Sequence, residues 1–446
     1  MFDDLIIIAK RQNVNVLTCT LVNLTVILHC DIIIIQRKKR GESVELKENM
    51  RILYRGMSLG GGAPKSAYQY LRVFKQDGHR ISVIMQEREQ SLKELYEREF
   101  GSLTVMPNVV DLFEKRAFVQ LYRQLCGEYK ALKTNKPDLV LAFGTVYPFF
   151  YGRFCRELQI PCIQFIAGGD LTPTRLFLRK VEWCHSLCFS EENRDVLRRY
   201  IPNEHINVIS NRIELKKQFN DLPEHISTAK NGIRILLTSR ISQDKYESVV
   251  GFIDNLCCAA NVNTPVTLAV AGGGDKLENL KKYVSDLENP FVNFEIKGHL
   301  DNLVPEFERA HLVVGRGRSV LEPIMMNRPG CVIGDNGSIE LCTPENFDHL
   351  YHYNFSGRES QCDDPVAVLS RLLDSLLHNT LDVEKTLCAA QLAREQYSAE
   401  YLREKLYAAL DSVEFKPERK FHIPVAVRLA KFALIRLMQK TVNKKK

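Results

Sequence analysis

The chain has 446 residues, too many for one ordinary hydrophobic core and suited to two domains with appendages. Its 45% hydrophobic and 26% charged residues exclude a largely disordered chain, a coiled coil, a collagen-like fibre and a polytopic membrane protein. The formal charge of +7 is concentrated at one end: Lys416–Lys446 holds ten Lys or Arg against the single acid Glu418, leaving about −2 on the rest. Nucleic acid is therefore not an expected partner.

The first notable element is Val14–Ile35, a 22-residue stretch without Lys or Arg that closes in four isoleucines. Its length fits one membrane crossing. The heavier basic cluster, Arg37-Lys38-Lys39-Arg40, follows it, so the positive-inside rule expects the bulk of the protein on the cytoplasmic face. Asn15, Asn23, His29 and Asp31 lie inside the stretch, and an intramembrane Asp costs roughly 2.5–3.5 kcal/mol on insertion scales. A pair of buried strands, or a natural start at Met50, are the alternatives.

From Met50 the pattern is strand, glycine loop, helix. Ile52-Leu53-Tyr54 runs into Gly60-Gly61-Gly62, with Pro64 suited to a first helical turn and Gly78 to a stop. Ile81–Met85, Leu139–Ala142 and Cys162–Ile166 read as further buried strands. Lys216–Asn231, polar and containing Pro223, reads as a linker. A second alternation follows, with strands at Ile233–Leu237, Val266–Val270, Val292–Ile296, Leu312–Val314 and Cys331–Ile333. Helices are expected between them at Tyr246–Cys258, Lys276–Leu287, Leu303–Ala310 and Ser319–Met326.

Strands alternating with helices imply parallel sheets covered on both faces. The expected fold is α/β with two doubly wound, Rossmann-like domains facing a cleft. The divisions are an N-terminal apolar segment (1–49), a first domain (50–215), a second domain (216–395) and C-terminal helices (396–446). In the last of these, Val427, Ala430, Leu434, Leu437 and Met438 fall on one helical face, beside Arg428, Lys431, Arg436 and Lys440. A basic amphipathic terminus of this kind suits an anionic membrane surface; docking on the protein's own core is the alternative.

Thirteen cysteines without a CxxC pair read as small buried hydrophobes in a reducing compartment. HExxH and GxxxxGK[ST] are missing from the sequence, which removes the cheapest support for metalloprotease and P-loop chemistry.

In open α/β sheets ligands bind beyond the carboxyl ends of the strands, so the strand-end loops carry the chemistry. Gly60-Gly61-Gly62 lets backbone N–H groups approach an anion. Gly272-Gly273-Gly274 has the same composition, and either can be only a turn. Arg240 and Lys245 follow the first strand of the second domain, pairing a planar fork with a point charge as a diphosphate requires. Gly315-Arg316-Gly317-Arg318 leads into Ser319-Val320-Leu321-Glu322, a helix start suited to phosphate, with Glu322 one turn in as an acceptor for ribose hydroxyls.

The order of Gly60-Gly61-Gly62, Arg240 with Lys245, Gly272-Gly273-Gly274-Asp275, Gly298-His299, Ser319-Val320-Leu321-Glu322 and Pro329-Gly330 resembles the retaining GT-B glycosyltransferases, the glycosyl transferases group 1 family, over about residues 50–400. The resemblance implies a UDP- or GDP-linked sugar donor, a glycan or lipid-linked acceptor, no obligatory metal and no other cofactor. It implies Arg240 and Lys245 on the donor diphosphate, Glu322 on the ribose, the loop of Gly298 and His299 against the base, and the Gly60–Gly62 loop against the phosphates. Three positions depart from the family: Val314 where an earlier glutamate is usual, Asn211-Arg212 where Asn-Gly is usual, and Gly168-Gly169-Asp170 where a His-bearing loop is usual. Asp170 is the candidate for acceptor-side chemistry. The expected function is a sugar transferase of surface polysaccharide or glycolipid synthesis on the cytoplasmic face of the membrane, peripheral or single-pass. A catalytically silent nucleotide-sugar-binding partner and a nucleotide-sugar epimerase are the competing readings.

Overall fold

The computed structural model describes residues 42–43, 49–58, 62–86, 93–144, 146–166, 185–210, 213–215, 232–360, 362–411, 414–415 and 424–443. The chain divides into two compact units, 1–42 and 43–446. Val14–Ile35, Gly60, Gly61, Asp170, Asn211 and Arg212 lie outside the described residues. Among the described residues, no helix is long and apolar enough to cross a membrane.

Among the described residues, the second unit holds two many-stranded sheets. The first has seven strands: β1 (Arg51–Ser58), β2 (Arg80–Gln86), β3 (Leu103–Met106), β4 (Leu139–Phe143), β5 (Cys162–Ile166), β6 (His185–Cys188) and β7 (Ile206–Val208). Their order across the sheet is β3-β2-β1-β4-β5-β6-β7, and every pair is parallel. The second has β8 (Ile233–Thr238), β9 (Val266–Ala271), β10 (Val292–Gly298), β11 (Leu312–Gly315), β12 (Gly330–Ile333) and β13 (Ile339–Leu341), in the order β10-β9-β8-β11-β12-β13. Only β13 runs antiparallel to its neighbour. All nine strands expected from the sequence are present; β3, β6, β7 and β13 are additional.

In each sheet the chain builds outward on one side of its first strand, then jumps to the other. Leu53 of β1 therefore has Ser82 on one flank and Val140 on the other; Leu236 of β8 has Ala269 and Val313. A crevice opens where the order reverses, beyond the carboxyl ends of β1 and β4 and of β8 and β11. The central strands are apolar without alternation because helices cover both faces: every residue of Leu139–Phe143 is buried.

The end of the chain returns to the first sheet. Helix α14 (Ala399–Asp411) packs Leu402, Leu406 and Leu410 into the core with Tyr70 and Phe74. Helix α15 (Val425–Asn443) buries Val425, Phe432 and Ile435 in a cluster with Leu125, Phe150 and Phe154. Arg428, also on this inner face, pairs with Glu157 and sits 4.9 Å from the Phe154 ring centroid. The docked face thus differs from the apolar one read from the sequence. Val427 and Leu434 are half-buried and Ala430 exposed on another side of the helix, while the side chains of Leu437 and Met438 lie outside the described residues.

One buried charge pair organises the first sheet. Arg55 of β1 donates Nε and Nη2 to the two oxygens of Glu128 at 3.1 and 3.2 Å, with both side chains fully buried. Its guanidinium carbon lies 3.7 Å from the Tyr147 ring centroid. Tyr151 and Gln124 also donate to Glu128. Removing one partner of such a pair strands the other's charge. Glu128→Leu is therefore expected to lose about 3–5 kcal/mol of stability, read as a lower urea midpoint, with the Arg55→Met/Glu128→Leu double variant recovering part of it.

Candidate functional site

Register aligns four strand ends of the second sheet in one row. Ala271 pairs with Gly298 on one side and Thr238 on the other, and Thr238 pairs with Gly315. The loops carrying His299, Gly272–Gly274, Arg240 with Lys245, and Arg316 to Glu322 therefore leave one edge of the sheet side by side. The last two flank the reversal of strand order between β8 and β11.

Backbone contact fixes the Arg240 loop. Ser239 donates to the Ala271 carbonyl at 3.2 Å, Ile241 to the Gly273 carbonyl at 3.0 Å, and Lys276 to the Ile241 carbonyl at 2.9 Å. A Cβ on Gly272 would lie 1.7 Å from the Ser239 carbonyl oxygen, and one on Gly274 2.1 Å from that of Ile241. This glycine triad is thus a packing device: only bare backbone lets the two loops meet. Gly272 N–H also donates to the Gly298 carbonyl at 2.7 Å, tying in the next loop, where His299 is well exposed and 3.3 Å from Asp301.

Ile241, wholly buried, anchors the loop from within, so the polar residues around it face outward. Arg240 is exposed, with its guanidinium 4.0 Å from Asp244. Lys245 immediately precedes helix α7 (Tyr246–Ala259). Burial lowers its pKa from the ordinary lysine value, and the cations Arg316 and Arg358 lower it further, against Asp244 and Asp335.

Across the crevice, Ser319 opens helix α10 (Arg318–Met325) but is occupied internally. Its hydroxyl has two carbonyls in reach of its one proton, Thr238 O at 3.1 Å and Arg316 O at 3.0 Å, and accepts from Arg316 N–H at 3.1 Å. Thr238 Oγ1 returns a bond to Ser319 O at 3.1 Å. The N–H groups of Ser319, Val320 and Leu321 turn onto the carbonyls of Arg316 and Gly317, and the side chains of Val320 and Leu321 are buried. Gly317, at φ +55°, makes the turn into the helix. Glu322, half-buried, accepts from Arg318 at 2.8 Å. Val314 is wholly buried between Leu237 and Cys331, so this position presents nothing to a ligand.

Of the residues selected from the sequence, Arg240, Lys245, Ser319, Val320, Leu321 and Glu322 stand on adjacent strand ends, with Gly298 and His299 two strands farther along. Gly62 opens helix α1 (Gly62–Gln76). Three charged residues were not selected. Arg316 lies within a loop already singled out; its Nη1 reaches Asp335 at 2.8 Å and its Nε the Ile333 carbonyl at 2.7 Å. Arg358 comes from a bend and Glu192 from a helix start, neither with a local motif, and only the fold brings them together, Nε to Oε1 at 2.9 Å.

No protein-family model matches the chain, and no curated protein matches it in sequence. Solved structures do. Anabaena Alr3699/HepE in complex with UDP superposes with a TM-score of 0.61 at 15% identity, over 82% of this chain and all of that one. A glycosyltransferase from Rickettsia africae gives 0.60 at 12% identity over 81% and 98%. The lipopolysaccharide outer core galactosyltransferase WaaB gives 0.57 at 13% over 81% and 99%. The fold is GT-B.

The glycine triad supplies a test of the site's construction. Gly272→Ala is expected to displace the Ser239–Ile241 loop and lower the melting temperature. Gly273→Ala, whose Cβ would stand 3.4 Å from the His299 Cβ, should be tolerated; thermal unfolding of the pair distinguishes them.

Proposed function

We propose that the chain is a glycosyltransferase that moves a sugar from a UDP- or GDP-linked donor to a glycan or lipid-linked acceptor. The observation that carries this reading is the meeting of two cation-bearing loops at the reversal of strand order between β8 and β11. The fold likeness to UDP-bound HepE supports a nucleotide diphosphate in the same crevice. In this reading Arg240 and Lys245 hold the diphosphate, and Glu322, oriented by Arg318, accepts from ribose hydroxyls. The Gly298–His299 loop lies along the base, and Gly60, Gly61 and Gly62 approach the phosphates from the first sheet. Ser319 acts indirectly, by locking the two loops together. Asp170 is assigned to the acceptor side.

Fixed cations aimed at the leaving diphosphate stabilise charge that develops as the glycosidic bond breaks, and they need no reorganisation to do so. We assign retention of configuration and independence from metal on the family resemblance. Arg240→Ala and Lys245→Ala are each expected to lower turnover by about 10²–10³ without unfolding. The check is release of sugar from labelled UDP- and GDP-sugars with and without acceptor. Slow hydrolysis by the parent separates a transferase from a silent binding module. Lys245 must be charged to hold phosphate and its pKa is lowered, so nucleotide affinity should fall as pH rises through that lowered pKa, at lower pH than an ordinary lysine would give.

The membrane assignment attaches to the outer side of α15. Phe432 is committed to the core, whereas Val427, Ala430 and Leu434 lie outside the buried face beside Lys431. We place the protein peripherally on the cytoplasmic face, with anionic lipid against this side. Leu434→Glu in the full chain should reduce sedimentation with anionic vesicles while leaving the melting temperature unchanged. Binding equal to the parent's would mean that α15 serves only the core.

A further inference from the structure

We propose that Arg316 and Arg358 complete the diphosphate site beside Lys245, and that Glu192 is an internal carboxylate which Arg358 exchanges for the incoming phosphate. This rests on the nucleotide-sugar reading above and adds to it two binding residues and a link between the two sheets.

Arg316 is held firmly but incompletely. Two of its nitrogens reach Ile333 O and Asp335. The third, Nη2, is buried and has no hydrogen-bond partner among the described residues. A buried guanidinium nitrogen left without an acceptor is costly, and native structures keep few of them. The side chain cannot easily turn to find another partner. A Cβ on Gly357 would stand 3.2 Å from Arg316 Nε and 1.9 Å from Ile333 O, so the chain at residue 357 passes directly over it. Gly317 N–H donates to Phe355 O at 2.7 Å, which joins the same passing segment to the start of α10.

Arg358 follows at once and reaches the other half of the molecule. It gives Nε and Nη2 to the two oxygens of Glu192, in the first turn of helix α6 (Glu191–Leu197). The partners are 33% and 23% exposed, open enough for exchange with solvent ions. Lys245 responds electrostatically to both arginines, which agrees with their gathering on one spot. Carboxylate and phosphate present similar oxygen pairs to a guanidinium fork. A diphosphate arriving at Lys245 and Arg316 therefore competes with Glu192 for Arg358, and carries more charge than the single carboxylate. When it wins, α6 of the first sheet is released from the 355–358 segment of the second. Binding and the relation between the two halves are then coupled, because the ligand favours the arrangement in which Glu192 has let go.

The test is calorimetric titration of UDP and of GDP into the full-length parent, Glu192→Gln, Arg358→Gln and Arg358→Lys. Removing the competitor should tighten binding by about five-fold or more. Arg358→Gln should weaken it roughly ten-fold or more, and Arg358→Lys should recover part of that loss. In the Glu192→Gln/Arg358→Gln double variant the gain should vanish, since Glu192 acts through Arg358. Parent and Glu192→Gln binding nucleotide equally would reduce the pair to a structural bridge and overturn the exchange. Failure of both nucleotides to bind the parent would instead remove the donor-site reading, and this inference with it.

Discussion

The hydroxyl of Ser319, bonded at once to Thr238 and Arg316, fixes the distance between the two loops that make the site. β8 and β11 are neighbours in the sheet but far apart in sequence, and nothing in a parallel ladder dictates how the loops beyond it lie. The Thr238–Ser319 exchange extends the ladder's order past its last rung. Space is as strict as bonding there: a Cβ on Gly315 would lie 2.6 Å from Ser319 Oγ and 2.7 Å from Thr238 Oγ1. On the other side of β8, the glycine triad supports the Arg240 loop by backbone alone. Arg240 and Lys245 on the first loop are thus free to carry charge, because backbone contact and the buried Ile241 hold that loop in place.

The two halves meet through a seam of modest, largely polar contacts. Ser210 donates to the Tyr351 hydroxyl at 2.8 Å, and His352 stands 3.2 Å from Asp195. The durable connection is instead α14, whose leucines belong to the core of the first sheet although its sequence follows the second. Contacts of the first kind can be exchanged at small cost, whereas withdrawing Leu402, Leu406 and Leu410 would expose three wholly buried side chains. Any relative movement of the halves has to pivot about α14 while the seam slides.

The two-sheet plan was legible because its central strands are uninterrupted apolar runs separated by helical periods. Four outer strands were not. His185–Cys188 and Ile206–Val208 are short and half polar, Leu103–Met106 has no buried residue, and Ile339–Leu341 is three residues long. Each is made a strand by the edge it pairs with. Arg240, Lys245 and Glu322 were legible as strand-end charges. Ser319 was legible as a helix start, but its hydroxyl serves the loop, which only tertiary contact reveals. Helix α15 shows the converse: periodicity identified an apolar face, yet the protein buries another, because Phe432 fits among Phe113, Phe149 and Phe150. Arg358 and Glu192, 166 residues apart, leave no trace in local pattern at all.

Gathering Lys245, Arg316 and Arg358 is itself unfavourable, and the fold spends carboxylates to offset it. Asp335 takes one nitrogen of Arg316 and Glu192 takes the fork of Arg358. The lowered pKa of Lys245 reflects burial first, with the like charges of Arg316 and Arg358 acting in the same direction against its proton. In the proposed reading such a site is poised: its cations are held in position by groups weaker than a diphosphate, so an anion of higher charge gains from every one of them. Val314, sealed in the core, contributes nothing to this. In the proposed reading, recognition of the donor therefore divides in two, with phosphate held by charges already concentrated at the crevice and the sugar left to contacts from the first sheet.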